Sequence, residues 1–289
     1  MTMPSIAIVT DSMARFTAPG ALNGQPVTIA PVLIRSGRHV VEDTLDMDLQ
    51  MLFDGADGTR YVPLAIPPST ESLSEIYNRL QREADRILSI HTSSRLAATF
   101  ANARQASQQF LGRCDIQVID SQSISVGLGL LVEAAAKAAT RGESFDEIVR
   151  IVRGMIPRLY MVFFLEQLDY LERLGRLSRS QAILGNMLGI IPFLTLEEGD
   201  VIPMEKVRSR PRAVEKLVEF VSEFSNIQHL AILQSEPRPT EESRQIAERL
   251  QALNPTTPIT INCYGASVAT CIGPDSLGVV VLESGEEVA

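Results

Sequence analysis

The chain has 289 residues, 45% hydrophobic and 21% charged, which excludes a disordered polyelectrolyte and fits a packed globular protein of about two domains. A formal net charge of −9 weighs against non-specific binding to nucleic acid or an anionic membrane surface, both of the same sign. Three cysteines and three scattered histidines match no disulfide scaffold or zinc pattern. No apolar run approaches the ~18–20 residues of a membrane span. The N-terminus lacks the basic and apolar regions of a secretory signal. A cytoplasmic protein with no metal and no integral membrane segment is expected.

Residues 5–9 form a short β-branched run that stops at Thr10-Asp11-Ser12, as a buried strand ending in a polar turn does. Residues 27–34 read as a second strand. Residues 45–53, with Leu45, Leu49 and Leu52 in helical register, read as a helix closed by Asp54-Gly55. Pro63, Pro67 and Pro68 rule out regular structure until Ser69-Thr70. Residues 72–84 place Leu73, Ile76, Tyr77, Leu80 and Ala84 on one helical face. Residues 86–90 read as a strand ending in His91-Thr92-Ser93-Ser94, followed by a small-residue helix over about residues 96–110. Residues 116–119 form a strand ending in Asp120-Ser121, and residues 126–141 an Ala-rich helix closed by Gly142. Strand, polar turn and helix alternate, which predicts an α/β fold with a mainly parallel sheet in the first half.

Ser144 heads a helix to about residue 155, with Pro157 beyond its end. Residues 160–165 read as a strand, 168–174 as a helix stopped by Gly175, and 181–188 as a helix ending at Gly189. Residues 190–196 and 201–206 flank Glu197-Glu198-Gly199-Asp200, a hairpin with a glycine-containing loop. Helices over 213–224 and 240–253 alternate with strands over 229–233, 259–264 and 277–282, and Cys271 falls in a loop before Gly273-Pro274. The second half is therefore mixed α/β, and the expected division is an N-terminal α/β domain of residues 1–157 and a C-terminal one of residues 158–289.

Three strands of the first half end in hydroxyl clusters. In an open parallel sheet, ligands bind outside the carboxyl ends of the strands, and hydroxyls beside helix N-termini suit a carboxylate or phosphate; the same residues also serve as helix N-caps. The sequence has no GxSxG, HExxH, P-loop or GxGxxG. Gly127 and Gly129 inside a helical pattern fit close helix packing. Ser93 with His91 or Asp120 would be the residues of an acyl-processing enzyme, although neighbours on a strand point to opposite faces. Arg173, Arg176, Arg179, Lys206, Arg208, Arg210 and Arg212 make a basic stretch that is either a solvated face or an anion-binding or partner-docking surface.

Several short pieces carry a family pattern in their order: Ile8-Val9-Thr10-Asp11-Ser12; Ser93-Ser94-Arg95-Leu96 with Thr99; Val118-Ile119-Asp120-Ser121 with Gly127 and Gly129; Leu168-Asp169-Tyr170-Leu171-Glu172-Arg173-Leu174-Gly175-Arg176-Leu177; Pro192; Lys206-Val207-Arg208; and Gly273-Pro274. Together they resemble the DegV family of bacterial proteins, whose best understood members are the fatty-acid-binding subunits of a fatty acid kinase. The resemblance implies two α/β domains with a lipid cleft between them, holding one long acyl chain in an apolar tunnel. It implies a protein without chemistry of its own and without a cofactor. Such a protein presents the carboxylate of a long-chain fatty acid to a separate kinase and is monomeric or dimeric.

On this resemblance Ser93 donates to the head group, supported by Thr92, with Arg176 as cationic neighbour and Cys271 lining the pocket. Leu64, Ile66, Phe163, Ile191 and Phe193, with Ile8, would line the tail. The chain departs from the family at the head group. Leu64-Ala65-Ile66-Pro67 stands for the usual Thr-Ser-Gln-Pro, Ile191 for a lysine, Cys271 for a histidine, and Ala97-Ala98-Thr99 for Ser-Gly-Thr. A charge-assisted hydrogen bond contributes about 1.5–3 kcal/mol, so these changes favour a less polar lipid or a grip made mainly by Ser93 and Arg176. A docking protein with a vestigial pocket remains the non-lipid alternative.

Overall fold

One helix separates two sheets, and the rest of the chain is arranged around it. The computed structural model describes residues 5–44, 47–54, 63–173, 175 and 177–285. β1 (Ile6–Asp11) is followed by β2 (Val27–Ala30), β3 (Leu33–Ser36) and β4 (His39–Glu42). The single strand expected over residues 27–34 is thus two, because Pro31 interrupts the extended run and sends the halves into different sheets. α1 (Leu49–Asp54) is shorter than the expected helix, whose first residues lie outside those described. β5 (Leu64–Ile66) then corrects the reading of the proline-rich segment as irregular: Pro63 and Pro67 flank a three-residue strand that pairs antiparallel with β3.

α2 (Thr70–Leu80) starts at Ser69, whose hydroxyl accepts from Ser72 N, and ends before Ala84. β6 (Arg86–His91), α3 (Thr99–Ser107), β7 (Asp115–Asp120), α4 (Ser125–Thr140) and α5 (Phe145–Met155) follow. The first sheet runs β2-β1-β6-β7, all parallel. Beyond it come β8 (Leu159–Phe164), α6 (Asp169–Arg173), α7 (Arg179–Met187), β9 (Ile191–Glu197), β10 (Asp200–Val207), α8 (Arg210–Val221), β11 (Ile227–Gln234), α9 (Glu241–Leu253), β12 (Ile259–Cys263), α10 (Ala266–Ile272) and β13 (Leu277–Glu283). The second sheet runs β10-β9-β8-β13-β11-β12 and is mixed, with only β11 and β12 parallel.

Cys271 lies in α10 rather than in a loop. Six of the seven α10 residues are buried, so no polar face gave the helix a readable period. Its cap, Gly265, has no side chain to offer; Asp43 reaches across instead, its Oδ1 accepting from Ala266 N at 2.9 Å.

α4 packs on β1 and β6 from one side and on β8 and β13 from the other. Twelve of its sixteen residues are buried, which is why the sequence is apolar all round. Gly129 admits the backbone of the first loop: a Cβ there would stand 1.8 Å from Arg15 O. Glu133, the buried charge on this helix, accepts from Thr17 N at 2.7 Å and from Lys137 Nζ at 3.3 Å. The result is one apolar seam, with Ile8 and Leu88 from the parallel sheet, Leu128 and Val132 from α4, and Phe163 and Leu194 from the mixed sheet.

Gly129→Ala should lower stability in urea by about 1–3 kcal/mol by overpacking. Gly154→Ala in α5, where a Cβ meets nothing within 4 Å, should raise it by about 0.5–1 kcal/mol. Equal effects of the two substitutions would contradict the close approach at α4.

Candidate functional site

The chain leaves β1 for β2 on one side and returns through β6 on the other, so the carboxyl ends of β1 and β6 bound the switch point of the parallel sheet. Asp11 closes β1 there, fully buried. Its Oδ1 accepts from Thr92 Oγ1 at 2.8 Å, and its Oδ2 accepts from Thr92 N at 3.0 Å and meets His91 Nδ1 at 3.1 Å. The chain of contacts continues from His91 Nε2 to Ser89 Oγ and from Ser89 Oγ to Tyr77 OH, both at 2.7 Å. Burial pushes the Asp11 carboxyl up. The bond to His91, the charge of that ring and the two donors of Thr92 outweigh burial, so the group sits below the ordinary carboxylate value. Burial also pushes the Tyr77 hydroxyl up to about 12.

This network decides what His91 can do. Both ring nitrogens are engaged, by Asp11 and Ser89, and neither faces Ser93. Asp120 Oδ1 accepts from Ser94 N at 3.2 Å and Gln122 N at 3.0 Å. Neither partner imagined for a nucleophilic Ser93 is bonded to it.

Ser93 itself is buried, and its main-chain N donates to Ser123 O at 2.9 Å. Its hydroxyl accepts from Arg95 N at 3.2 Å and donates to Gly199 O at 2.6 Å. Gly199 stands at the tip of the β9–β10 hairpin, where Glu198 (φ +49°) and Gly199 (φ +80°) make the two-residue left-handed turn that suits twisted strands. The expected loop is therefore present, and it reaches the strand ends of the other sheet. Beside it a polar cleft of about 490 Å³ is lined by Ser94, Arg95, Asp120, Gln122 and Glu198.

Thr92 spends its hydroxyl on Asp11. Cys271 borders the seam, and burial raises its thiol pKa, keeping it protonated. α10 packs on β5, beside which Leu64 is half exposed, Ala65 packs on the seam and Ile66 is partly buried. Arg176 lies outside the described residues. The tail-lining set does not gather on one surface. In the β8–β9 pairing Phe163 lies opposite Leu194 and Phe164 opposite Phe193. Strand alternation therefore puts Phe163 on the seam, whereas Ile191 and Phe193 belong to the core on the opposite face, under α8. Leu194, not Phe193, shares the seam with Phe163.

The basic stretch is partly neutralised. Arg210 pairs with Glu166 and Glu242 and lies over the Phe164 ring, and Arg212 pairs with Glu219 at 2.9 Å. Sequence reasoning missed the Asp11–His91 contact and the role of Gly199. Only the strand-end hydroxyls and the Glu-Gly loop were signals for them.

A family model described as "uncharacterised protein, DegV family" matches residues 5–284. The chain belongs to the DegV family. A DegV domain-containing protein of Streptomyces coelicolor is 30% identical over 96% of this chain and 98% of its own length. Among solved structures, a fatty-acid-binding DegV family protein from Thermus thermophilus is 26% identical, covers 97% of this chain and all of its own, and superposes with a TM-score of 0.83. DegV of Bacillus subtilis, a fatty acid binding protein, is 25% identical with the same coverage and a TM-score of 0.81. The α/β fold of a parallel and a mixed sheet is that of the DegV family.

Because the Asp11 carboxyl titrates lower folded than unfolded, its contribution is complete above about pH 4 and is lost as pH falls through the folded value. Resistance to urea should fall below about pH 4 in the parent chain. Asp11→Asn should cost about 1–3 kcal/mol at neutral pH and flatten that acid slope. An unchanged slope would contradict the network.

Proposed function

We propose that this chain binds a long-chain fatty acid along the apolar seam and presents its carboxylate at the strand ends to a separate ATP-dependent fatty acid kinase. The observation that carries the reading is the full-length likeness to the fatty-acid-binding Thermus thermophilus protein. A hydrocarbon tail suits the energetics: each buried methylene contributes about 0.8 kcal/mol, so a dozen supply ample affinity without many polar contacts. The tail would lie against Phe163 and Leu194, near Leu64 and Ile66 of β5, between lobes of residues 1–157 and 158–289. Ser93 is the proposed head-group donor, with Thr92 holding the strand end through Asp11, Arg176 as the cation and Cys271 as a neutral wall.

No helix among the described residues is long and apolar enough to cross a membrane, and no group of metal-ligating side chains occurs among them. The ligand is the proposed cargo, the protein needs no cofactor in this reading, and the cytoplasm is its proposed location. The docking alternative loses support at Arg210, whose ion pairs tie α8 to α9 and to Glu166.

Native mass spectrometry of the purified protein, followed by denaturing extraction, should find a bound acyl species. Added acids of about 14–18 carbons, which suit a pocket of ordinary size, should bind. Ser93→Ala should weaken that binding about tenfold or more, and activated esters should leave Ser93 unmodified. An empty protein that takes up no such acid would contradict the reading.

A further inference from the structure

The Ser93 hydroxyl has one proton, and in this structure that proton goes to the main-chain oxygen of Gly199 at 2.6 Å. One lone pair is met by Arg95 N at 3.2 Å. A carboxylate offers only acceptors, so it can take the Ser93 hydroxyl only if Gly199 O gives it up. The two claims on one donor exclude each other.

The tip is shaped for this contact. Glu198 and Gly199 both adopt positive φ, and Gly199 is buried against the other sheet's strand ends. A Cβ on Gly199 would stand 2.4 Å from Ser93 Oγ and 3.1 Å from Gln122 Cα, so only glycine permits the approach. The turn also carries Glu197, Glu198 and Asp200. Of these, Glu198 lines the cleft beside Ser94, and its carboxylate opposes an anion arriving there while the tip is down.

We propose that the β9–β10 hairpin tip is a latch on the head-group position, closed by Ser93 to Gly199 and opened in exchange for an anionic head group. This rests on the fatty acid reading above and adds the regulation of that site. Binding then draws on the open fraction of the protein, so the observed affinity and association rate are both reduced by the closed population.

The test uses the full chain and cis-parinaric acid, a fluorescent polyene fatty acid. Gly199→Ala, which cannot close, should bind it faster and about fivefold more tightly, the ratio of a single neutral hydrogen bond. Because the chain has no tryptophan, Glu197→Trp gives a single reporter on the exposed start of the turn in an otherwise native tip. Its emission should shift when palmitic acid is added, with the same time course as binding. Both results together support the latch. Parent protein that binds the polyene acid, with an unaltered rate in Gly199→Ala and no emission shift in Glu197→Trp, overturns the latch and leaves the lipid reading standing. If Gly199→Ala does not fold, the reporter decides alone. Parent protein that binds neither acid overturns both.

Discussion

The close burial of α4 between two sheets is the constraint on which the molecule depends. A helix enclosed on both sides has no polar stripe to give to water, so its sequence must be apolar or small nearly throughout, and residues 125–140 are. Gly129 allows the first loop to lie against the helix backbone, which brings the end of β1 to the place where β6 and β7 also end. Glu133 is tolerated because Thr17 and Lys137 meet it. From this arrangement follows a seam with hydrocarbon from both sheets on either side of one helix.

At the mouth of that arrangement the electrostatics are settled internally. Asp11 is a buried carboxylate, and Thr92 and His91 satisfy it across the gap between β1 and β6. The network fixes the strand end from which Ser93 projects, and it withholds His91 from any reaction there. A rigid strand end meeting a hairpin tip from the other sheet brings polar groups of both sheets to one place, which suits recognition.

Much of the fold was legible because local chemistry announced it. Ser69, Ser144 and Thr240 cap helices near where the sequence placed their starts, and each of the three parallel strands that ended in hydroxyls does end there. The failures have physical causes. Pro31 splits an extended run that hydrophobicity alone would continue, and β5 survives between prolines because β3 supplies its partner. α10 is too short and too buried to show a period. Phe163 and Phe193 look alike in sequence, while the β8–β9 register puts them on opposite faces. Asp11 and His91 are separated by 80 residues. Nothing local marks them as partners.

The central claim is that hydrocarbon occupies the seam face of the mixed sheet and not the face under α8. Photo-crosslinking with a palmitic acid carrying a diazirine near its methyl end, followed by peptide mapping, tests this most directly. The account predicts saturable labelling on peptides of α4, α10 and the seam side of β8 and β9, competed by unlabelled palmitic acid. Labelling confined to α8 and α9, or none that unlabelled acid competes away, would contradict it.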